Sequence, residues 1–283
     1  MLKRQSDLNT RHEATLPFAA EKIVFAGDQR TQCAIDVATE TPISFVYGGM
    51  PYAVMMATPE DLHDFVYGFS LTEGIIQKAE DIRDIRVEPA GDHITIKIVL
   101  SSAQFQAHLA KRRMMSGRTS CGLCGVETLA DLPVAHQISP SDSAPISLDA
   151  VHQALGQLAQ HQPLNQVTRS VHAAAWSNGQ GLIIAAREDV GRHNALDKLI
   201  GCLLQKSMKA QDGFLLITSR ASFEMVEKAA LFGIRMIVAI SAPTSLAIRR
   251  AEDLGVTLYG VARYDSMIKF TSSHTIDREI HQA

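Results

Sequence analysis

FLLITSRASFEMVEKAALFGIRMIVAISAPTSLAIRRAEDLGVTLYG, residues 214–260, decides the fold. FLLITS, RMIVAIS and VTLYGVA are near-continuous apolar runs of strand length. SFEMVEKAALFG and SLAIRRAEDLG lie between them and have helical spacing. Strands apolar on both faces, alternating with helices at short intervals, predict a largely parallel sheet covered on both sides. Working outward, GLIIAA and the helix HNALDKLIGCLLQK precede this stretch, and a further helix starts at about residue 148. The reading is a three-layer α/β/α domain over 148–283.

Upstream the pattern changes. QISPSDSAPISLD is rich in Ser, Pro and Asp, and marks a linker at 137–147. Before it, TPISFVYGGMPYAVM reads as a hairpin around Gly48-Gly49. Thr58-Pro59-Glu60-Asp61 then supplies an N-cap, a first-turn proline and early acids for a helix carrying Leu62, Phe65, Val66 and Phe69. A second hairpin spans about 82–100, turning at Pro89-Ala90-Gly91-Asp92. The helix SSAQFQAHLAKRRMM follows, and it leads into TSCGLCG, residues 119–125. This half is therefore a smaller α+β domain over 21–136, ending in a cysteine loop at 116–126, with residues 1–20 as a flexible N-terminal arm.

Composition narrows the function. The 283 residues carry a net charge of −3, 46% hydrophobic and 20% charged residues, as in an ordinary globular protein. That charge argues against a protein wrapped in nucleic acid. No long uncharged apolar segment predicts a membrane span, and the opening residues lack the apolar run of a secretory signal. Cys33 and Cys202 are isolated, which is unlike a secreted disulfide framework, so a reducing cytoplasm is expected.

Cys121 and Cys124 stand three apart. A structural zinc site wants four ligands, and there is no second CxxC or nearby His pair, so no structural metal is expected. A thioredoxin-like couple wants a strand before it and a helix start, whereas this pair follows a basic helix. Lys111, Arg112, Arg113 and Arg118 upstream favour the thiolate, and Gly117, Gly122 and Gly125 flank the pair. The residue chemistry reaches a reactive dithiol loop able to carry a persulfide, and stops there.

Two strand ends in the C-terminal half offer anion sites. Arg220 and Ser222 follow FLLITS, while Ser241, Thr244 and Ser245 follow RMIVAI, with Ser222 and Ser245 as helix N-caps. EDVGRHNALDK, residues 188–198, gathers six polar groups around one glycine, and His193 is its candidate acid/base or purine contact. His172 in VHAAAW reads as a packed core histidine.

Several blocks in order resemble the FdhD family, the sulfur carriers required for formate dehydrogenase activity. They are ETPISFVYGGMPYAVMMATPEDLHDFVYGFSLTEGII, GRTSCGLCG, HAAAW, EDVGRHNALDK, TSRASFEMVEKAALFGI and AISAPTSLAIRRAEDLGVTLYG. The resemblance implies a sulfurtransferase that takes sulfur as a cysteine persulfide from a cysteine desulfurase. It would pass that sulfur to the molybdenum of bis(molybdopterin guanine dinucleotide), bound as substrate, for formate dehydrogenase as client. It also implies a C-terminal domain similar to the cytidine deaminase fold without zinc, and a homodimer.

Carried over by position, Cys121 is the persulfide bearer and Cys124 its companion. The cofactor-binding segment falls on Val261, Ala262, Arg263, Tyr264, Asp265 and Ser266, where only Arg263 remains of the family's glycine-containing basic run. Arg220, Ser222, Ser241, Thr244 and Ser245 are then expected at the nucleotide, with His193 and Asp197 near the base or pterin; GDP or GTP would mimic that part. The rival readings are a cofactor-binding chaperone without sulfur transfer, and a zinc protein whose CxxC pairs with its copy across a dimer.

Overall fold

A computed structural model describes residues 13–116, 135–137 and 146–271. It is a mixed α/β protein with three sheets. The first is a lone hairpin, β1 (Thr15–Val24) against β2 (Gln29–Ala38). Residues 15–20, expected in a loose arm, are thus the first part of a strand. Their Pro, Phe and Ala side chains carry no apolar periodicity, and it is backbone pairing along the whole hairpin that orders them.

The second sheet has the order β4-β3-β6-β5, with β3 at Thr41–Tyr47, β4 at Met50–Ala57, β5 at Ile82–Ala90 and β6 at His93–Leu100. Both expected hairpins form, and β3 and β6 run parallel between them. Strict alternation buries Ile43, Phe45 and Tyr47 against Ile94, Ile96 and Ile98. Helix α1 (Leu62–Thr72) covers this face with Phe65 and Phe69, whose rings meet Phe45 at 5.1 and 4.5 Å. The N-cap position of the helix is Asp61, whose side chain makes no cap bond, and not Thr58. Thr58 is fully buried and bonded to residues 189, 190 and 198, so a long-range network takes the residue that local chemistry assigned to a cap. Helix α2 (Ser102–Ser116) follows, seating Phe105 over Gly48 and His108 against the rings of Tyr47 and Tyr52.

The third sheet has the order β12-β11-β10-β9-β7-β8. Its strands are β7 (His172–Asn178), β8 (Ile183–Asp189), β9 (Gly213–Ile217), β10 (Met236–Ala239), β11 (Thr257–Gly260) and β12 (Ile268–Lys269). Only β9, β10 and β11 are mutually parallel; β7 is antiparallel to both β8 and β9, and β12 to β11. The sheet is therefore mixed rather than largely parallel. HAAAW, too short and alanine-rich to stand out as a strand, sits inside the sheet and reverses its direction.

Alternate side chains divide the core. Leu215 and Ile217 join Trp176, Ile237 and Leu258 under helices α5 (Arg192–Gln205), α6 (Phe223–Phe232) and α7 (Ser245–Leu254). Phe214 and Leu216 join Ala175 and Val238 on the other face, under α3 (Leu148–Gln157). The short helix α4 (Pro163–Thr168) leads into β7. Gly233 and Gly255, at φ of 92° and 73°, end α6 and α7 in the left-handed region that glycine enters without strain.

Helix α5 is buried from Asn194 to Leu203 because it is covered twice, by the third sheet and by α1. The α1–α5 crossing is glycine against glycine. A Cβ on Gly68 would lie 1.7 Å from the Asp197 carbonyl oxygen, and one on Gly201 would lie 1.8 Å from that of Asp64. This backbone-to-backbone approach locks the two halves into one body and fixes where the ends of β8 and β9 stand.

Candidate functional site

Because β9, β10 and β11 run parallel, their carboxyl ends open on one edge of the sheet, where α/β proteins bind ligands. Backbone bonds stitch the three following loops side by side: Ile240 N–H to Ile217 O (2.9 Å), Thr244 N–H to Ala221 O (3.0 Å) and Val261 N–H to Ser241 O (3.2 Å). Arg220, Ser222, Ser241, Thr244, Ser245 and the 261–266 segment therefore share one rim. Arg220 is exposed and makes no ion pair among the described residues.

The 261–266 segment is tightly shaped. Val261 holds a φ of 52°, a left-handed conformation that a β-branched residue adopts only under constraint. Ala262 is fully buried, so it lines the core and not the rim. Arg263 donates from Nη1 to the carbonyls of Ile240 (2.6 Å) and Ala262 (2.9 Å), which ties the segment to the preceding strand end. Tyr264 is 72% exposed, with its ring 4.4 Å from that of His152 on α3. Asp265 accepts from the Ser266 hydroxyl at 3.1 Å.

Capping differs from the expectation. Thr244, not Ser245, caps α7, its Oγ1 accepting from Ala247 N–H at 3.3 Å. Ser222 occupies the N-cap position of α6, yet its side chain makes no cap bond and its Oγ is out of solvent without a partner. The first turn of α6 thus keeps donors that an ordinary serine cap would satisfy.

EDVGRHNALDK separates into two roles. Asp189 and Lys198 are fully buried and paired at 2.6 Å. The Asp189 carboxylate also accepts from Thr58 N–H (3.0 Å), Gly191 N–H (2.8 Å) and Asn194 Nδ2 (2.9 Å), while Lys198 donates to Thr58 O at 2.9 Å. Asp197 faces the N-terminal half as well, accepting from Thr72 Oγ1 (2.8 Å) and Lys228 Nζ (2.8 Å). Burial pushes its carboxyl above the usual range, and Lys228 opposes that shift. Asp197, expected near the base or pterin, is fully buried and paired with Lys228 in this structure. These polar residues join the two halves, because the buried α5 must satisfy them internally.

His193 does reach the rim. Its Nε2 lies 2.8 Å from Glu224 Oε2 in the first turn of α6, out of line for a hydrogen bond. His172, expected in the core, is half-buried at the start of β7, opposite Asp189 at the end of β8. Both imidazoles are held below their ordinary pKa, first by burial; Arg192 adds to this, while Glu224 opposes it at His193. Residue types did not single out Lys228 or Glu224, named Arg192 only as one of six polar groups, and named Thr58 only at a helix cap. Nothing local signals that Lys228 and Glu224, within the helix SFEMVEKAALFG, meet α5.

Cys121 and Cys124 lie outside the described residues, as does the 137–147 linker over 138–145. The structure describes what flanks the cysteine stretch. On the near side α2 is seated on the second sheet. On the far side Ala135 is buried and held by α6 and α7: its N–H donates to Glu227 Oε2 (2.9 Å), its carbonyl accepts from Arg250 Nη2 (3.0 Å), and Arg250 and Glu227 pair directly. Glu227→Ala removes an acceptor for both a backbone N–H and a guanidinium. It is expected to cost about 1.5–3 kcal/mol, the range for hydrogen bonds to charged groups, read as a lowered denaturation midpoint.

The chain as a whole is similar to known proteins. The model of the FdhD/NarQ family matches residues 38–277. A sulfur carrier protein FdhD from Bordetella petrii is 46% identical over 228 residues, covering 80% of this chain and 81% of the relative. Its counterpart from Xanthomonas euvesicatoria pv. vesicatoria is 46% identical over 245 residues, 85% of each chain. A crystal structure from Desulfotalea psychrophila, described as a formate dehydrogenase accessory protein, superposes with a TM-score of 0.69 at 26% identity, covering 92% of this chain and 98% of that one.

Proposed function

The chain belongs to the FdhD/NarQ family, and on that premise we propose that it is a sulfur carrier in the maturation of formate dehydrogenase, with Cys121 as the sulfur-bearing thiol. The observation that supports this beyond kinship is the strand-end rim, where a free guanidinium (Arg220) and an uncapped helix start meet at Ser222. Such donors suit the phosphates of a nucleotide-bearing substrate. The substrate in this reading is the molybdenum bis(molybdopterin guanine dinucleotide) cofactor, with GDP or GTP as a mimic of its nucleotide end. Ser241, Thr244, Ser245 and Arg263 extend the same edge.

Loading is a thiol exchange. The Cys121 thiolate attacks the outer sulfur of a cysteine desulfurase persulfide, a new S–S bond forms, the donor's S–S bond breaks, and the donor leaves as thiolate. Sulfane sulfur changes hands without net oxidation. The cations at 111–113 and 118 favour the attacking thiolate, and Cys124 is the neighbouring thiol that can share the sulfur. The exchange needs a reducing compartment, the cytoplasm. The same reading includes a cytidine-deaminase-like C-terminal domain without zinc, and a homodimer.

Intact mass after incubation with a cysteine desulfurase and cysteine tests the proposal. The protein is expected to gain one sulfur, the gain disappearing in Cys121→Ala while GDP still binds. Cofactor or GDP binding with no sulfur gained would overturn sulfur carriage in favour of a chaperone. Stoichiometric zinc on the purified protein would overturn it in favour of a structural metal site shared between copies.

A further inference from the structure

The β1–β2 hairpin is a two-stranded sheet on its own, an arrangement marginally stable at best unless something covers one face. Its register divides it into two unlike sides. Residues directly opposite share a face, so Leu16, Phe18 and Ala20 stand beside Val37, Ile35 and Cys33 on one side. Glu21, Gln32 and Asp36 stand on the other. The first side is apolar, yet Phe18, Ile35 and Val37 remain exposed there, Phe18 by 56%. At the tip, where Gly27 and Asp28 turn the chain at positive φ, Phe25 is 98% exposed. Strands of ten residues place that ring about 30 Å from the base of the hairpin at ~3.3 Å per residue. A continuous apolar strip ending in a bare aromatic marks a binding surface.

Charge and position narrow the occupant. Residues 13–40 hold Glu13, Glu21, Asp28, Asp36 and Glu40 against Lys22 and Arg30, a net charge of −3, which is the net charge of the whole chain. Arg30 is engaged by Glu21 at 3.3 Å and Asp28 at 3.8 Å. The hairpin is therefore an acidic-edged apolar strip on a body whose charges balance. A second copy of the strip, or an anionic lipid surface, would meet it with like charge; a protein with an apolar groove between basic residues would not. The hairpin also stands beside the rim. Strand β2 packs against α4, whose Leu164 and Asn165 N–H groups donate to Glu188 at 2.8 Å. Glu188 precedes Asp189, the last residue of β8, which is opposite His172; the next residue, Ala173, donates to Thr218 Oγ1 at 2.9 Å, just past the end of β9. The flanks of the cysteine stretch lie on other elements, α2 and the α6–α7 pair. A protein seated on the hairpin thus stands next to the edge that holds the substrate in the functional reading above.

We propose that the β1–β2 hairpin is a docking arm for the apoenzyme that takes over the rim's substrate, a protein whose binding face is an apolar groove flanked by Lys and Arg. Phe18 and Phe25 enter the groove. Asp36 and Glu40, which make no ion pair among the described residues, meet the basic flanks. The strip is small, so the association belongs to the weak, transient class, as a client that must leave requires. Naming that client as formate dehydrogenase rests on the functional reading above; the docking surface does not.

Binding of the full-length protein to cofactor-free formate dehydrogenase, read by biolayer interferometry beside persulfide loading by mass, tests the arm. Phe18→Ser and Phe25→Ser change exposed side chains, so the melting temperature should hold. Each is expected to weaken client binding about tenfold or more while sulfur is gained as before. Asp36→Lys is expected to slow association and flatten its dependence on salt. Client binding unmoved by all three variants overturns the proposal. So does a loss that falls instead on loading by the cysteine desulfurase, on attachment to phosphatidylglycerol vesicles, or on self-association in sedimentation, each of which identifies a different occupant. If the protein gains sulfur and does not bind the apoenzyme, the arm is overturned and sulfur carriage stands. If it binds through the hairpin and gains no sulfur, carriage fails and the arm stands.

Discussion

Lys198→Met is expected to destabilise the protein by about 3–5 kcal/mol, the cost of stripping one partner from a buried ion pair. Lys198 and Asp189 are both fully buried and 2.6 Å apart, so the methionine leaves a carboxylate with no counter-charge. Three neutral donors, from Thr58, Gly191 and Asn194, still hold that carboxylate and keep the loss within the range. The loss also falls on the junction, since Lys198 donates to the carbonyl of Thr58 in the other half. Against a typical stability of about 5–15 kcal/mol, this is a large fraction of the total. Removing both charges in Asp189→Asn with Lys198→Met should recover part of it, because a missing pair costs less than an orphaned charge. Urea denaturation of the two variants reads both numbers. A single-variant loss under about 1 kcal/mol, or a double variant worse than the single, would show that the pair does not hold the junction.

Gly201→Ala is expected to cost about 3 kcal/mol or more, at or above the upper end for overpacking. The new methyl would sit 1.8 Å from the Asp64 carbonyl oxygen and 2.7 Å from the Gly68 nitrogen, and backbone atoms of a packed helix cannot step aside as a flexible side chain can. Helices α1 and α5 must part. Parting them stretches Thr72 from Asp197, and Asp64 from Arg187, whose Nε now meets it at 2.7 Å. Gly68→Ala should do the same from the other side. The double variant should cost much less than the sum, since one separation accommodates both methyls. Thermal melting of the three variants checks this; additive losses would mean the glycines act independently.

Much of this protein is legible in its sequence, for identifiable reasons. Apolar strands alternating with helices over 214–260 marked the α/β unit, because a strand covered on both faces has no polar side to show. The Gly48-Gly49 and Gly91-Asp92 turns marked the two hairpins through local backbone chemistry. Arg220, Ser222, Ser241 and Thr244 could be grouped because parallel strands send their carboxyl ends to one edge whatever the details. Local chemistry failed where distant residues compete for the same group. Thr58 looks like a helix cap until Asp189, Val190 and Lys198 claim it. Asp197 gives no local sign of its buried pairing with Lys228, and His172 looks like core until the antiparallel course of β7 brings it to the end of the sheet.

What the sequence by itself determined is the set of elements and the chemistry each can offer: strands and helices from periodicity, a dithiol from Cys121 and Cys124, anion donors from the strand ends. These depend on neighbours in the chain. Only the tertiary structure decided which polar groups are consumed in joining the halves and which are left open. A buried charge must find its partner wherever the fold provides one, and the Gly68–Gly201 crossing that sets those meetings joins residues over a hundred positions apart.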